Sequence, residues 1–169
     1  EHWVRVIKDL RRALDYLETR SDVRQDRLYY YGVSIGAMLG PISLVVEPRL
    51  KAGILISGGY GKFWEEHAFP EVLVTNYTPI VEQPVLMISG EWDNVFRLET
   101  NQVPFFADLP NPQNKHRLVN RSHLVLGKEV APRMDRWLND LFEEGALNDN
   151  LESTPSADEA DNGERGPEQ

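Results

Sequence analysis

The sequence predicts an α/β protein built on a doubly wound, mostly parallel sheet. Three observations carry that expectation. Segments with helical periodicity alternate along the chain with short β-prone runs. Two of those runs, AGILI at 52–56 and PVLMIS at 84–89, are apolar throughout rather than alternating, which is the pattern of strands buried on both faces. The 169 residues suit one domain with a covered core, because a chain of about 150 residues hides roughly 70% of its unfolded surface.

The elements follow in order. Residues 3–19 place Trp3, Val6, Ile7, Leu10, Leu14 and Leu17 at steps of three and four, so one face of a helix is apolar. Residues 21–27 are polar and turn-like. The aromatic run 28–31 is β-prone and stops at Gly32. A small-residue helix is expected over 35–46, kinked or divided by Pro41, which lacks the N–H that a helix interior needs. Strand 52–56 is closed by Ser57, Gly58 and Gly59. Residues 60–82 are irregular and aromatic, and strand 84–89 stops at Gly90. Residues 97–109 are weakly helical, with Pro104 against them. A short strand is expected over 115–120. The last helix, 130–142, carries Met134, Trp137, Leu138, Leu141 and Phe142 on one stripe.

Composition excludes several classes. With no cysteine there is no disulfide scaffold, thiol nucleophile or cysteine-ligated metal site. The net charge of −9 argues against a partner with a phosphate backbone, so no nucleic acid is expected. No run approaches the roughly 18 apolar residues of a membrane span and nothing reads as an export signal, so a cytoplasmic protein without a membrane partner is expected. The charge is concentrated at the end. Residues 145–169 hold seven carboxylates against the single Arg165, and past Leu151 they hold no large apolar residue. Such a segment buries too little to offset ordering entropy. The expected division is a folded part, 1–144, and a disordered acidic tail, 145–169.

Gly32-Val33-Ser34-Ile35-Gly36 is a G-x-S-x-G motif between a predicted strand and a predicted helix. That context puts the serine on a sharp, strained turn with its hydroxyl above the strand, while the N–H of Ile35 faces the place where an oxyanion would form. Glycine at 32 and at 36 would remove side chains that collide across the turn. A serine nucleophile needs a base, and the base an orienting carboxylate. Asp93 follows strand 84–89 and His123 follows strand 115–120, so Ser34, Asp93 and His123 each fall just past a strand end, where open α/β sheets gather catalytic groups. Each has rivals. Asp93 suits a plain turn, and Glu91 is a competing acid two residues earlier. His116, His67 and His2 compete with His123. The Glu65-Glu66-His67 run reads as a solvated patch rather than a metal site. Phe63, Trp64, Phe69 and Tyr77 fit either a substrate pocket or a loop packed over the sheet edge.

Three stretches carry a resemblance: DLRRALDYLETR, LYYYGVSIGAMLGPISLVVEPRLKAGILISGG and PVLMISGEWDNVFRLETNQ. Over residues 5–143 the chain resembles the second half of an α/β-hydrolase, in the branch of dienelactone-hydrolase-like and prolyl-oligopeptidase-like enzymes. Within it, the chain is similar to hydrolase domains that occur alone or fused behind bacterial serine/threonine protein kinases. The resemblance implies Ser34 as nucleophile, Asp93 as acid, His123 as base and the Ile35 N–H in the oxyanion hole. It also implies no cofactor, a small acyl substrate and a kinase domain as a fusion partner in a longer protein. Where the family often has glycine before the histidine, this chain has Ser122. The family's early strands, and the loop that gives a second oxyanion donor, have no counterpart here. The chain also begins with Glu1 inside a predicted helix, so a piece of a longer protein is expected. The leading functional expectation is a serine hydrolase of esterase or peptidase type. The rival is a non-catalytic hydrolase-like module that binds or senses a ligand.

Overall fold

The computed structural model describes residues 2–61, 66, 68–125 and 127–152. Phe63, Trp64, Glu65 and His67, and the acidic segment after Glu152, lie outside the described residues. Helix α1 (His2–Glu18) precedes strand β1 (Tyr29–Val33), helices α2 (Ile35–Met38) and α3 (Gly40–Val46), and strand β2 (Ala52–Ile56). A helical turn, α4 (Val74–Tyr77), leads to β3 (Val85–Gly90). A π-helical turn (Leu98–Gln102) then runs into α5 (Val103–Ala107), followed by β4 (Lys115–Val119) and α6 (Gly127–Glu152). The order of helices and strands is the expected one.

Each local expectation has a physical outcome. On α1, Leu14 is buried, and Trp3, Ile7, Leu10 and Leu17 pack against the core, but Val6 at the margin of the stripe stays exposed. The 35–46 helix is divided at Leu39. Pro41 thereby falls in the first turn of α3, where an N–H has no intrahelical partner to lose. Helix α6 continues past the boundary expected at Glu144, as far as Glu152.

The four strands form one sheet in the order β1-β2-β3-β4, and every pair is parallel. All strands therefore point the same way. Their last residues, Val33, Ile56, Gly90 and Val119, line one end of the sheet. On one face Tyr30, Leu55, Val85 and Met87 join Leu14, Met38, Ile42, Leu44 and Phe105 in the main core. On the other face Ile54, Ile56, Leu86 and Ile88 are also buried, which explains why β2 and β3 read as continuous apolar runs.

The described residues up to Met134 form one compact unit that holds the sheet, and those from Asp135 onward belong to a second. Of the second unit the later turns of α6 are described. There Trp137 is buried and Leu138, Leu141 and Phe142 are half-buried. Among the described residues no helix is long and apolar enough to cross a membrane.

Candidate active site

The first site residue follows β1. Ser34 N–H donates to the Ile56 carbonyl at 2.8 Å, so the ladder to β2 continues one residue beyond the strand while the chain turns into α2. The backbone of Ser34 sits at φ 55° and ψ −115°, outside the regions open to an L-residue without strain. The turn is tight enough that a Cβ on Gly32 would lie 2.6 Å from the Gly36 backbone, so glycine is required there. Gly36 differs from the sequence expectation: a Cβ on it would meet only the Tyr30 hydroxyl, at 3.8 Å, an ordinary contact. Tyr30 holds the turn from below, its hydroxyl donating to the Gly36 carbonyl at 2.7 Å. Ile35 is the first residue of α2, a position whose N–H has no acceptor within a helix.

The acid follows β3. Asp93 is buried, its side chain 0% exposed. Its Oδ1 accepts the N–H groups of Val95 at 2.8 Å and Phe96 at 2.9 Å. Its Oδ2 lies 2.8 Å from His123 Nδ1. The two oxygens of Asp93 have separate partners: Oδ1 builds the turn and Oδ2 meets the imidazole. Glu91 is exposed.

The histidine follows β4. His123 is half-buried, its ring tilted 34° against that of Phe96 with centroids 5.9 Å apart. Its Nε2 lies 2.8 Å from Ser34 Oγ. A carboxylate only accepts, so Nδ1 carries the donated proton and Nε2 is left to accept from the serine hydroxyl. The acid and histidine loops are laced together. Glu91 N–H donates to the Val119 carbonyl at 3.0 Å, Trp92 N–H to the Arg121 carbonyl at 2.9 Å, and the Trp92 indole to Asn120 Oδ1 at 2.9 Å. Arg121 pairs with Glu129 at the start of α6, at 2.7 Å. Room for this loop comes from Gly90, where a Cβ would lie 2.0 Å from the Ser122 carbonyl oxygen. The missing glycine at 122 is thus accommodated: Ser122 is exposed, and the close approach is absorbed by the glycine across from it.

The remaining candidates lie elsewhere. His116 packs on Phe106 with ring centroids 5.0 Å apart, and its Nε2 meets Ser89 Oγ at 3.1 Å. Burial lowers its pKa to about 4, which suits a neutral packing imidazole. His2 stands edge-on to Trp3. Tyr77 packs against the core and donates to the Glu71 carbonyl, while Phe69 is exposed beside a groove on α1 whose walls include none of Ser34, Asp93 and His123. Among the described residues no cluster of His, Asp and Glu fits a metal ion. Sequence reasoning overlooked Tyr30, Gly90 and Phe96. A glycine ending a buried strand just before an acid was the one available signal for Gly90.

No protein-family model and no curated protein sequence matches the chain. Solved structures do. A cold-adapted esterase from an Arctic intertidal metagenomic library has a TM-score of 0.62 and 21% identity, over 80% of this chain and 59% of that one. The Pyrococcus furiosus esterase Pf2001 has a TM-score of 0.65 and 20% identity, over 79% of this chain and 61% of that one. A dipeptidyl aminopeptidase IV-like protein of Bacteroides ovatus has a TM-score of 0.66 and 14% identity, over 82% of this chain and 22% of that one. The fold is that of the α/β-hydrolases, as the sequence resemblance implied. The chain spans about three fifths of the length of the two esterases.

Proposed function

We propose that the chain carries the catalytic residues of a serine hydrolase acting on an ester or related acyl substrate. The observation that supports this reading best is the hydrogen-bonded series from Ser34 Oγ through the His123 imidazole to Asp93 Oδ2, with 2.8 Å at each link. In this reading Ser34 Oγ attacks the substrate carbonyl carbon and its proton passes to His123 Nε2. The new C–O bond forms as the carbonyl electron pair moves onto oxygen, toward the Ile35 N–H. Collapse expels the leaving group, which takes the proton from His123. Water then attacks the acyl-serine with His123 again as base, the acid departs, and Ser34 regains its proton. Asp93 holds the imidazole in the required tautomer throughout. The chemistry needs no cofactor. Likeness to solved esterases supports an ester substrate, and the peptidase-like neighbour keeps amides within the class. A purely binding module would have no need of a serine hydroxyl held against an imidazole on a strained turn.

The test is covalent labelling by a fluorophosphonate probe, paired with turnover of a short-chain aryl ester. Wild-type protein is expected to label and turn over. Ser34→Ala should lose the label and on the order of 10⁶-fold in kcat, the scale seen when a triad serine is removed. Equal labelling of the two proteins, or none of the wild type, would overturn the assignment.

A further inference from the structure

Gln102 ends the π-helical turn and is completely buried. Its side chain reaches back to the loop that bears Asp93. Nε2 donates to the Phe96 carbonyl at 2.6 Å and lies 3.3 Å from the Gly90 carbonyl. Gly90 is the last residue of β3, and Phe96 is the residue whose N–H holds Asp93 Oδ1. One amide therefore bridges the entrance and the exit of the acid loop. The same turn is anchored on its other side by Asn101. The Asn101 carbonyl accepts from Tyr60 N–H at 3.1 Å, and its side-chain amide donates to the Tyr60 carbonyl. Tyr60 lies on the segment that follows β2. The acid loop is thus fastened through Gln102 to a turn that is itself fastened to the sheet.

Packing alone does not account for a glutamine at this place. Gln102 Oε1 is buried with no hydrogen-bond partner among the described residues, and an unpaired buried amide oxygen is unfavourable. Methionine would fill the same space without that oxygen. What methionine cannot do is donate to the two carbonyls. We propose that Gln102 is a positioning residue for the site, clamping the loop from Gly90 to Phe96 in the shape that aims Asp93 Oδ2 at His123 Nδ1. The proposal rests on the hydrolase reading for its effect on turnover. Among the described residues Gln102 makes no hydrogen bond to His123 or Ser34, and it acts through the loop that bears Asp93.

The experiment compares wild type, Gln102→Met, Asp93→Asn and the double variant in the full chain. With Gln102→Met, kcat should fall about tenfold, the scale of one lost buried hydrogen bond, and KM should change by less than about twofold. The acid limb of the kcat/KM profile should move to lower pH, because a misaimed carboxylate stabilises the imidazolium less. The His123 imidazole, titrated by NMR without substrate, should shift in the same sense. In the Asp93→Asn background, Gln102→Met should have no further effect on either readout. An unmoved imidazole titration, or a full additive loss in the Asp93→Asn background, would overturn the clamp. If Gln102→Met fails to fold, Gln102→Asn takes its place: it keeps the amide one methylene short, and a wild-type titration there would also overturn the proposal. If the wild type turns over no ester, the hydrolase reading fails, and the imidazole titration still decides the role of Gln102.

Discussion

The two outer strands of the sheet are equally long, five residues each, and dressed in opposite ways. Strand β4 presents Lys115 and Arg117, both exposed, on the register positions opposite Leu86 and Ile88. Strand β1, which among the described residues pairs only with β2, carries Tyr29, Tyr31 and Val33 on the same face of the sheet, and they are 40%, 49% and 48% exposed. Charge on a margin strand discourages edge-to-edge pairing, and aromatic and β-branched side chains invite it. Strand β4 therefore has the chemistry of a sheet margin and β1 that of a strand made to be covered. Yet Ser34 follows β1 and His123 follows β4, so the candidate site needs both margins held in place.

The sharpest way to test that dependence is to disturb the glycine behind each loop. Gly90→Ala would set a methyl carbon 2.0 Å from the Ser122 carbonyl oxygen and 2.6 Å from that of Arg121, both backbone atoms. The histidine loop must move, and misplacing a catalytic group by about 1 Å is on the scale of a 10²-fold loss. Gly32→Ala meets the Gly36 backbone at 2.6 Å and should do the same to the serine side. Gly36→Ala, with its nearest atom 3.8 Å away, should keep wild-type turnover. Aryl-ester turnover, with circular dichroism as the check on folding, reads all three. Normal turnover in Gly90→Ala would mean that the histidine loop is not held by its contact with β3.

These glycines also mark how far the sequence could be read. The succession of helices and strands along the chain was legible because apolar runs alternate with helical periods, and Ser34, Asp93 and His123 stood out because each follows its own strand. The motif suggested both glycines of the turn, but only the folded structure separates Gly32, pressed on backbone, from Gly36, where a Cβ would make an ordinary contact. The buried carboxylate of Glu47 was hidden for a related reason. Its partner Arg49 is two residues away, yet that guanidinium also reaches Asp15 and Glu18 on α1, and no periodicity reports a contact across so many residues. Gln102 was equally invisible. Its meaning lies in which two carbonyls it meets, and a π-helical turn leaves no hydrophobic period to announce it.

On the β4 side, His116 should make the fold sensitive to acid. Its folded pKa is lowered by burial from 6.5 to about 4, so the folded chain keeps it neutral where the unfolded chain takes up a proton. Stability from this group is complete above about pH 6.5, falls as pH drops, and levels off near pH 4. The loss by pH 4 should be about 2 kcal/mol, below the full linkage value because the ring remains partly solvated. Urea unfolding from pH 7 to pH 4 of wild type and His116→Leu isolates it, since the carboxylates titrate in both. Parallel pH slopes would show that His116 is not the sensitive group on this strand.

The smallest expected effect falls on the margins themselves. The Tyr31 side chain is half in water, so Tyr31→Lys removes little packing and places a charge on the outer strand that has none on its exposed face. It should weaken self-association of this chain about tenfold, as a lysine on an edge strand repels a second edge. The double change Lys115→Val and Arg117→Val strips β4 of its charge and should strengthen association by a similar factor, giving it the character β1 has now. Sedimentation equilibrium over a range of concentrations measures both. Neither variant alters Ser34, Asp93 or His123, so turnover per folded chain should stay near wild type. If the lysine on β1 leaves association unchanged while the valines on β4 raise it, charge guards β4 but the exposed tyrosines of β1 are not a contact surface, and the contrast between the two strands would hold for one margin only.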